Sequence, residues 1–377
     1  MGGKRQISSI AILHWRDLIP VRWSVPITVM RFTNFFSIFL AALLMFVSGS
    51  RAAQLEVISF SGKALKNNPL HDPVERRIAV FVPDQITNGI PLPVIYWLPG
   101  YGSSSEKFIQ NAEAYKAFTQ KLANETTPVI FVVVDCRNRW GGSQYLNSPA
   151  QGNYADYVCD DIVSQVESRY QVPEKPPRRI IAGHSSGGFG ALRLAMLHPR
   201  LFDGVIALSP DSDFQNSHLP LVKRPGVTNV SLAQVNLYME PEMKSPRPAN
   251  GDLTYALGLS AAYAPVGRKH PGQFEWLYDA QGSFREKVWQ RWLDNDPLAI
   301  VQRDKNAFHP NQSVYLEGAA ADQYGANIGA RKIYDVLVQR PGRCTFYEPP
   351  GKHSDHLNDR VQRAIAWTFG LPIFDIH

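Results

Sequence analysis

The sequence predicts an α/β fold with a mostly parallel central sheet covered by helices on both faces. Short runs rich in β-branched and aromatic residues alternate with stretches of helical periodicity along most of the chain. Inner runs such as Val129–Val134 are apolar throughout, which is typical of strands buried on both faces of a sheet. The composition, 44% hydrophobic and 19% charged, excludes a disordered chain.

Eight strands and four main helices are predicted. The first two strands are close enough in sequence to form an antiparallel pair at one edge of the sheet. The predicted strands are Leu55–Ser61, Arg77–Pro83, Val94–Leu98, Val129–Val134, Arg179–Ala182, Val205–Leu208, Val314–Leu316 and Thr345–Tyr347. The predicted helices are Tyr154–Arg169, Phe189–Leu197, Asn327–Gln339 and Asn358–Phe369.

Residues 1–53 are predicted to be a signal peptide or N-terminal leader. Arg31 precedes an apolar run over residues 35–47, and small residues lead to Ala52 and Ala53, where cleavage is expected. The alternative is an uncleaved membrane anchor, because the charge-free stretch from Phe32 to Ser50 approaches the length of a bilayer span. We therefore expect an exported protein, periplasmic or secreted, that meets the membrane only if the leader is retained.

The net charge of +6 belongs to the leader. Residues 1–53 hold six of the 39 Lys and Arg and one of the 33 Asp and Glu, so the remainder carries 33 against 32, a net charge of +1. This balance argues against a nucleic-acid partner. Three cysteines occur, Cys136, Cys159 and Cys344, and none has metal-ligand spacing. In an oxidising compartment two of them could pair, and which two stays open.

One long stretch interrupts the alternation of strands and helices. Residues 54–377 are predicted to form one domain, with residues 211–304 as an inserted lid. A plain loop of that length is unusual in a compact domain. A lid is expected at the carboxyl edge of the sheet, because ligand sites of open α/β sheets form there.

The pattern Gly-x-Ser-x-Gly, centred on Ser185, follows an apolar strand and precedes a helix. That context predicts a nucleophilic serine lifted out on a tight strand-to-helix turn, where small neighbours let the backbone close and the helix N-terminus stabilises an oxyanion. A structural glycine-rich turn is the alternative. His184 is predicted to pack or to form a hydrogen bond and not to act as the base.

A serine nucleophile needs a base and an orienting acid, in the chain order Ser, acid, His. His353 follows the last strand and precedes the terminal helix, so it is the predicted base, with His356 as its local rival. These two histidines also resemble a metal-ligand pair, but no second cluster of matching spacing occurs, so no metal is predicted.

The predicted acid is Asp322, in a loop of small residues after the strand Val314–Leu316. Glu317 is read as a local capping or pairing residue. The rivals are Asp211 and Asp213, which follow the preceding strand.

The oxyanion hole is predicted to use the backbone N–H groups of Ser186, after the nucleophile, and of Tyr101, in a glycine-rich loop after the third strand. Trp140 and Tyr145 flank another glycine-rich segment. They are predicted to line a substrate pocket, with burial in the core as an equally weighted alternative.

Several motifs together resemble the "putative esterase" family of α/β-hydrolases, which contains esterase D (S-formylglutathione hydrolase), the antigen 85 mycolyltransferases, and enterochelin and feruloyl esterases. Similar features run from about residue 58 to 370. They comprise Leu98–Gly102, Gly141–Ser148, Gly152–Val158, Gly183–Gly190 and Gly351–His353. The resemblance implies an α/β-hydrolase fold, a Ser185–Asp322–His353 triad and no metal or organic cofactor. The chain departs from the family in Pro99, in Glu317-Gly318 and in the residues after His353.

The sequence thus predicts a serine carboxylesterase acting on a small-molecule, glycan or lipid ester. An exported acyltransferase with the same triad is the first alternative, and a non-catalytic binding protein on the same scaffold is the second. Acyl chain, alcohol and oligomeric state stay open.

Overall fold

An eight-stranded sheet organises the protein, as seen in a computed structural model that describes residues 53–83, 92–170, 179–240, 248 and 250–372. Its strand order is β1-β2-β4-β3-β7-β8-β9-β10. These strands are β1 (Gln54–Ser61), β2 (Glu75–Val82), β3 (Val94–Leu98), β4 (Ile130–Val133), β7 (Arg179–His184), β8 (Gly204–Leu208), β9 (Ser313–Glu317) and β10 (Cys344–Tyr347). The short strands β5 (Asn147–Ser148) and β6 (Gly152–Asn153) pair separately.

The predicted fold class is confirmed, including the antiparallel pair at one edge. β1 pairs antiparallel with β2, β2 pairs antiparallel with β4, and the remaining neighbours in the sheet are parallel. Strands β3, β4, β8 and β9 are buried at every residue. Their largely apolar sequences therefore reflect burial on both faces.

Helices cover both faces of the sheet. α1 (Ser105–Gln110), α2 (Ala112–Glu125) and α14 (Leu357–Phe369) pack on one face. The other face is covered by α3 (Tyr154–Asp156), a π-helical segment (Tyr157–Ile162), α4 (Val163–Arg169), α5 (Ser186–Leu197) and α13 (Ala326–Leu337). Alternation along β3 feeds both layers, with Trp97 in the first core and Tyr96 in the second.

The segment between β8 and β9 is helical and has a core of its own. It contains α6 (Phe214–Ser217), α7 (Leu219–Val222), α8 (Pro225–Thr228), α9 (Leu232–Met239), α10 (Gly251–Tyr263), α11 (Glu286–Leu293) and α12 (Pro297–Arg303). Leu257, Trp276 and Trp292 are buried in that core together with Trp140 and Phe189 from outside the segment. We call residues 211–304, the range of the predicted lid, the insertion.

The predicted leader lies outside the described residues, except for Ala53. Within the described ranges, no helix combines the length and the apolar character that crossing a bilayer requires. Cys136, Cys159 and Cys344 are free thiols.

Candidate active site

Ser185 stands on a sharp turn between β7 and α5. Its φ of 59° and ψ of −125° lie outside the regions that side chains other than glycine usually adopt. Its backbone N–H donates to the Leu208 carbonyl at 2.9 Å, and its carbonyl accepts from the N–H of Phe189 at 3.0 Å. The turn is therefore held by the neighbouring strand and by the helix that it opens, as a strained nucleophile elbow requires.

Two glycines make this turn possible. A Cβ on Gly183 would lie 2.2 Å from the Gly187 carbonyl oxygen, and one on Gly187 would lie 1.8 Å from the Leu98 carbonyl oxygen. Neither position has room for a side chain. The first and last residues of Gly-x-Ser-x-Gly are thus fixed by close backbone approach.

Asp322 and His353 form a hydrogen-bonded pair at the carboxyl edge of the sheet. Asp322 follows β9, His353 follows β10, and His353 Nδ1 lies 2.7 Å from Asp322 Oδ2. Burial acts to raise the pKa of Asp322. The hydrogen bond from His353, the electrostatic interaction with that imidazole and the hydrogen bond from the N–H of Tyr324 together outweigh burial, so the pKa of Asp322 is lowered. The carboxylate stays charged and can orient the imidazole.

The rivals for these roles are engaged elsewhere. Glu317 is ion-paired with Arg360, and Asp213 with Lys332 at 2.6 Å. Asp211 accepts from Ser186. His356 stands at the start of α14 and does not line the pocket described below.

Ser185 and His353 line one pocket of about 730 Å³. In the described part of the chain no hydrogen bond joins their side chains. Such bonds are often long before substrate binds and tighten in the reacting complex. The arrangement therefore places the two groups in one cavity, with the imidazole already oriented by Asp322.

The loop that carries His353 is held through its carbonyl oxygen. Arg360 Nη1 and His184 Nε2 both lie 2.9 Å from that oxygen. Burial, chiefly, lowers the pKa of His184 to about 3, so its imidazole is neutral and Nε2–H is the donor. Arg360 also donates to Ser209 Oγ at 2.9 Å. The sequence predicted His184 as a packing or hydrogen-bonding neighbour, whereas Arg360 carried no motif that marked it.

The predicted oxyanion donors lie in the same pocket as Ser185. Ser186 is the first residue of α5, where backbone N–H groups have no acceptor within the helix. Tyr101 lies in a turn closed by the N–H of Ser103 donating to the Gly100 carbonyl at 3.1 Å, and both Tyr101 and Ser186 line the pocket.

The glycine-rich segment around residue 141 supports Tyr101. Its ring packs against Gly141 and Gly142, where an added Cβ would lie 2.9 and 3.0 Å from ring atoms. The Tyr101 hydroxyl donates to the Trp140 carbonyl. These contacts fix the backbone that presents the predicted oxyanion donor.

The prediction that Trp140 and Tyr145 line the substrate pocket is corrected by the structure. Both are buried, at 2% and 6% exposure, and neither lines the cavity. Trp140 packs in the core of the insertion, and the Tyr145 hydroxyl donates to the Pro99 carbonyl. Both side chains pack behind the loop of Tyr101, which was the alternative interpretation.

The insertion contributes a polar group that the sequence did not single out as part of the pocket. Asp211 Oδ2 accepts from Ser186 Oγ at 2.7 Å and from the Tyr255 hydroxyl at 2.8 Å. Asp211 was considered only as a rival acid. Its partner Tyr255 comes from α10, 44 residues further on, so no local pattern indicates the contact.

The pocket has two kinds of wall. One part is apolar and comes from β3, α1, α2 and α14, with Trp97, Phe108, Phe118 and Val361. The other comes from the insertion and contains Asp211, His218 and Tyr255. In the described residues no group of three or more His, Cys, Asp or Glu side chains is arranged to hold a metal ion.

A family model described as "Putative esterase" matches residues 73–340. The S-formylglutathione hydrolase of Mus musculus is 27% identical over 161 residues, a match that covers 39% of this chain and 56% of that protein. The matched region thus spans little more than half the length of this relative.

Solved structures with the same fold match most of the chain. A fluorophosphonate-binding serine hydrolase of Staphylococcus aureus has a TM-score of 0.54 at 15% identity and covers 85% of this chain and 99% of its own. An S-formylglutathione hydrolase from Agrobacterium tumefaciens has a TM-score of 0.53 at 16% identity, with 84% and 96% covered. At these identities the likeness shows the α/β-hydrolase fold.

Proposed function

This chain belongs to the "putative esterase" family, and we propose that it is a serine carboxylesterase acting through an acyl-enzyme on Ser185. The observation that carries the proposal is the strained turn of Ser185 in the same pocket as the hydrogen-bonded pair His353 and Asp322. A serine nucleophile, an imidazole base and a charged carboxylate that orients the base are the components of nucleophilic acyl transfer.

In the first half of the reaction, Ser185 Oγ attacks the ester carbonyl carbon while His353 Nε2 takes the hydroxyl proton. Asp322 stabilises the resulting imidazolium through the hydrogen bond to Nδ1. The N–H groups of Tyr101 and Ser186 donate to the oxyanion. When the tetrahedral intermediate collapses, the bond to the alcohol oxygen breaks, and His353 gives its proton to the leaving alcohol.

In the second half, water replaces the alcohol. Water attacks the acyl-enzyme carbonyl while His353 takes a proton from it. The N–H groups of Tyr101 and Ser186 donate to the second oxyanion. Collapse releases the carboxylic acid and returns the proton to Ser185. Arg360 and His184 support both halves by fixing the backbone carbonyl of His353.

Substitution of the nucleophile tests the proposal. Ser185→Ala should lower kcat/KM for 4-nitrophenyl esters by roughly 10⁴-fold or more, because it removes the group that forms the covalent intermediate. Ser354→Ala is the matched control, since Ser354 also lines the pocket but is exposed beside His353. A fluorophosphonate probe should label the wild type and Ser354→Ala and fail to label Ser185→Ala. Full ester hydrolysis by Ser185→Ala would overturn the proposal.

The products distinguish hydrolysis from transfer. We expect the free acid to accumulate in step with the alcohol, both in water alone and with added glycerol or sugar. A new ester of the added hydroxyl compound, formed in preference to the acid, would assign the chain as an acyltransferase with the same triad.

We also propose that the chain is exported. The proposal is supported by a basic segment, an apolar run and a stretch of small residues that follow one another and end near Ala53. Mass spectrometry of the N-terminus after expression of the full chain should find a start next to Ala52 or Ala53. Recovery of the protein in the cytoplasmic fraction, with residues 1–53 still attached, would contradict export.

A further inference from the structure

Asp211, in the pocket wall formed by the insertion, uses only one of its two carboxylate oxygens. Three donors approach Oδ2: Ser186 Oγ at 2.7 Å, the Tyr255 hydroxyl at 2.8 Å and Gln144 Nε2 at 3.4 Å. Oδ1 accepts no hydrogen bond from any described residue. Since Asp211 is half-buried and lines the cavity, the structure holds one oxygen in place and leaves the other to the pocket.

His218 is a second acceptor in the same wall. Its side chain is 4% exposed, stacks on Phe214 with ring centroids 4.2 Å apart, and has Nδ1 at 2.9 Å from Ser217 Oγ. The Ser217 hydroxyl also lies 2.8 Å from the Ser212 carbonyl and 3.2 Å from the Asp213 carbonyl, neither of which can donate. We assign its one hydrogen to the nearer carbonyl, of Ser212, so that its oxygen accepts from His218. This assignment places the imidazole proton on Nδ1 and leaves Nε2 as the acceptor.

That nitrogen has no partner. His218 Nε2 is buried, with no hydrogen bond to any described residue, in a side chain that lines the cavity. Burial lowers the pKa of His218, and the nearby Asp211 offsets this only in part, so the ring is neutral. A buried acceptor without a donor is unfavourable, and a donor group on a ligand would satisfy it.

The two acceptors lie close to each other. Tyr255 donates to Asp211, and its ring centroid is 6.0 Å from that of His218. Arg224, a cation of the insertion that lines the pocket, is ion-paired with Asp252 at 3.1 Å. The wall thus offers acceptors next to the predicted nucleophile, in contrast to the apolar wall of Phe108, Phe118 and Val361.

We propose that Asp211 Oδ1 and His218 Nε2 form a subsite for hydroxyl groups of the ester substrate. This inference rests on the proposed esterase function and adds a substrate class to it: esters that carry free hydroxyls near the scissile bond. The hydroxyls donate to the two acceptors, while the apolar portion of the ester contacts the apolar wall.

Two pairs of esters test the subsite. Glyceryl monobutyrate against propyl butyrate varies hydroxyls on the alcohol side, and ethyl 3-hydroxybutyrate against ethyl butyrate varies one on the acyl side. For at least one pair, the wild type should prefer the hydroxylated ester by about tenfold in kcat/KM. His218→Phe, which keeps the stacking on Phe214 but lacks the acceptor, should abolish most of this preference.

His270→Phe is the matched control, because His270 is an exposed histidine of the insertion outside the pocket. It should keep the wild-type preference. Equal rates on both members of both pairs, or a preference that survives in His218→Phe, would overturn the subsite.

Binding to Ser185→Ala distinguishes failure of the subsite from failure of the proposed function. Calorimetry should show tighter binding of the hydroxylated ester, and Ser185→Ala/His218→Phe should lose that difference. If the wild type hydrolyses no ester but this difference in binding is present, the esterase function fails and the subsite stands. If all four esters are hydrolysed without a difference in binding, the subsite fails and the esterase function stands.

Discussion

The loop that carries His353 and the insertion that carries Asp211 are both anchored near the carboxyl edge of the sheet by a buried titratable side chain. His184 Nε2–H donates to the His353 carbonyl at 2.9 Å. Asp296, at the start of α12, accepts from the N–H groups of Asp213 at 3.0 Å and Phe214 at 2.9 Å, and so ties the two ends of the insertion together.

Burial shifts the pKa values of the two anchors in opposite directions. It lowers the pKa of His184 to about 3, because the imidazolium is desolvated. It raises the pKa of Asp296 to about 6, because the carboxylate is desolvated and the N–H groups of Phe214, Leu298 and Asp213 compensate only in part. Burial thus keeps His184 neutral at pH 7, and it lets Asp296 take up a proton at a pH just below 7.

The chemistry of the two regions differs as well. The sheet-borne loop holds the imidazole that we propose as the proton carrier, whereas the insertion holds the acceptors that we propose for hydroxyl groups of the substrate. Variants in the first region should therefore stop turnover, and those in the second should change selectivity. The predictions below test this contrast, from the largest expected effect to the smallest.

Removing the imidazole should give the largest effect. We expect His353→Asn to lower kcat/KM by roughly 10⁴-fold, because the base for Ser185 and the acid for the leaving alcohol are lost together. His356→Asn is the matched control, since His356 lies three residues away with a positive φ that asparagine tolerates. Steady-state kinetics on one chromogenic ester compares the two. Equal losses in both variants would show that His353 is not the base.

Much of the sheet-borne half could be predicted from sequence because its chemistry follows local rules. The strand–turn–helix around Gly183–Gly187 marks Ser185, and positions after consecutive parallel strands mark Asp322 and His353, which the structure brings together. Their catalytic roles stay predictions until the variants are measured.

The contacts of the insertion and those of Arg360 could not be predicted, because they join residues far apart in the sequence. Tyr255 is 44 residues from Asp211, and Arg360 is 43 residues from its ion-pair partner Glu317. Aromatic residues beside glycines fit a pocket wall and a core equally well, so only the packing of the insertion shows that Trp140 is buried. Helices of four residues, such as α6, carry too little periodicity to be recognised.

The neutral anchor predicts the first pH effect. The folded-state pKa of His184 is below the ordinary value, so the unfolded chain binds the proton more tightly, and stability is lost as pH falls below about 6.5. From pH 7 to pH 5 this loss is about 2 kcal/mol. His184→Gln, whose amide can still donate to the His353 carbonyl, should remove it, while the exposed control His270→Gln should not. Urea unfolding at both pH values measures the difference, and a His184→Gln profile parallel to the wild type would contradict the assignment.

The acidic anchor predicts the smallest effect, with the opposite sign. The folded-state pKa of Asp296 is above its ordinary value, so its protonation stabilises the fold at low pH, and this contribution is lost as pH rises through about 6. Between pH 5 and pH 7 the wild type should lose about 1 kcal/mol from this group, partly cancelling the gain from His184.

As the pH rises from 5 to 7, Asp296→Asn should therefore gain more stability than the wild type, although its absolute stability is lower because one acceptor oxygen is replaced. Asp294→Asn, at an exposed ion pair with Arg303 in the same region, should follow the wild type. If Asp296→Asn and Asp294→Asn give the same pH profile, the two anchors do not oppose each other, because the insertion is then held by a carboxylate that stays charged throughout this range.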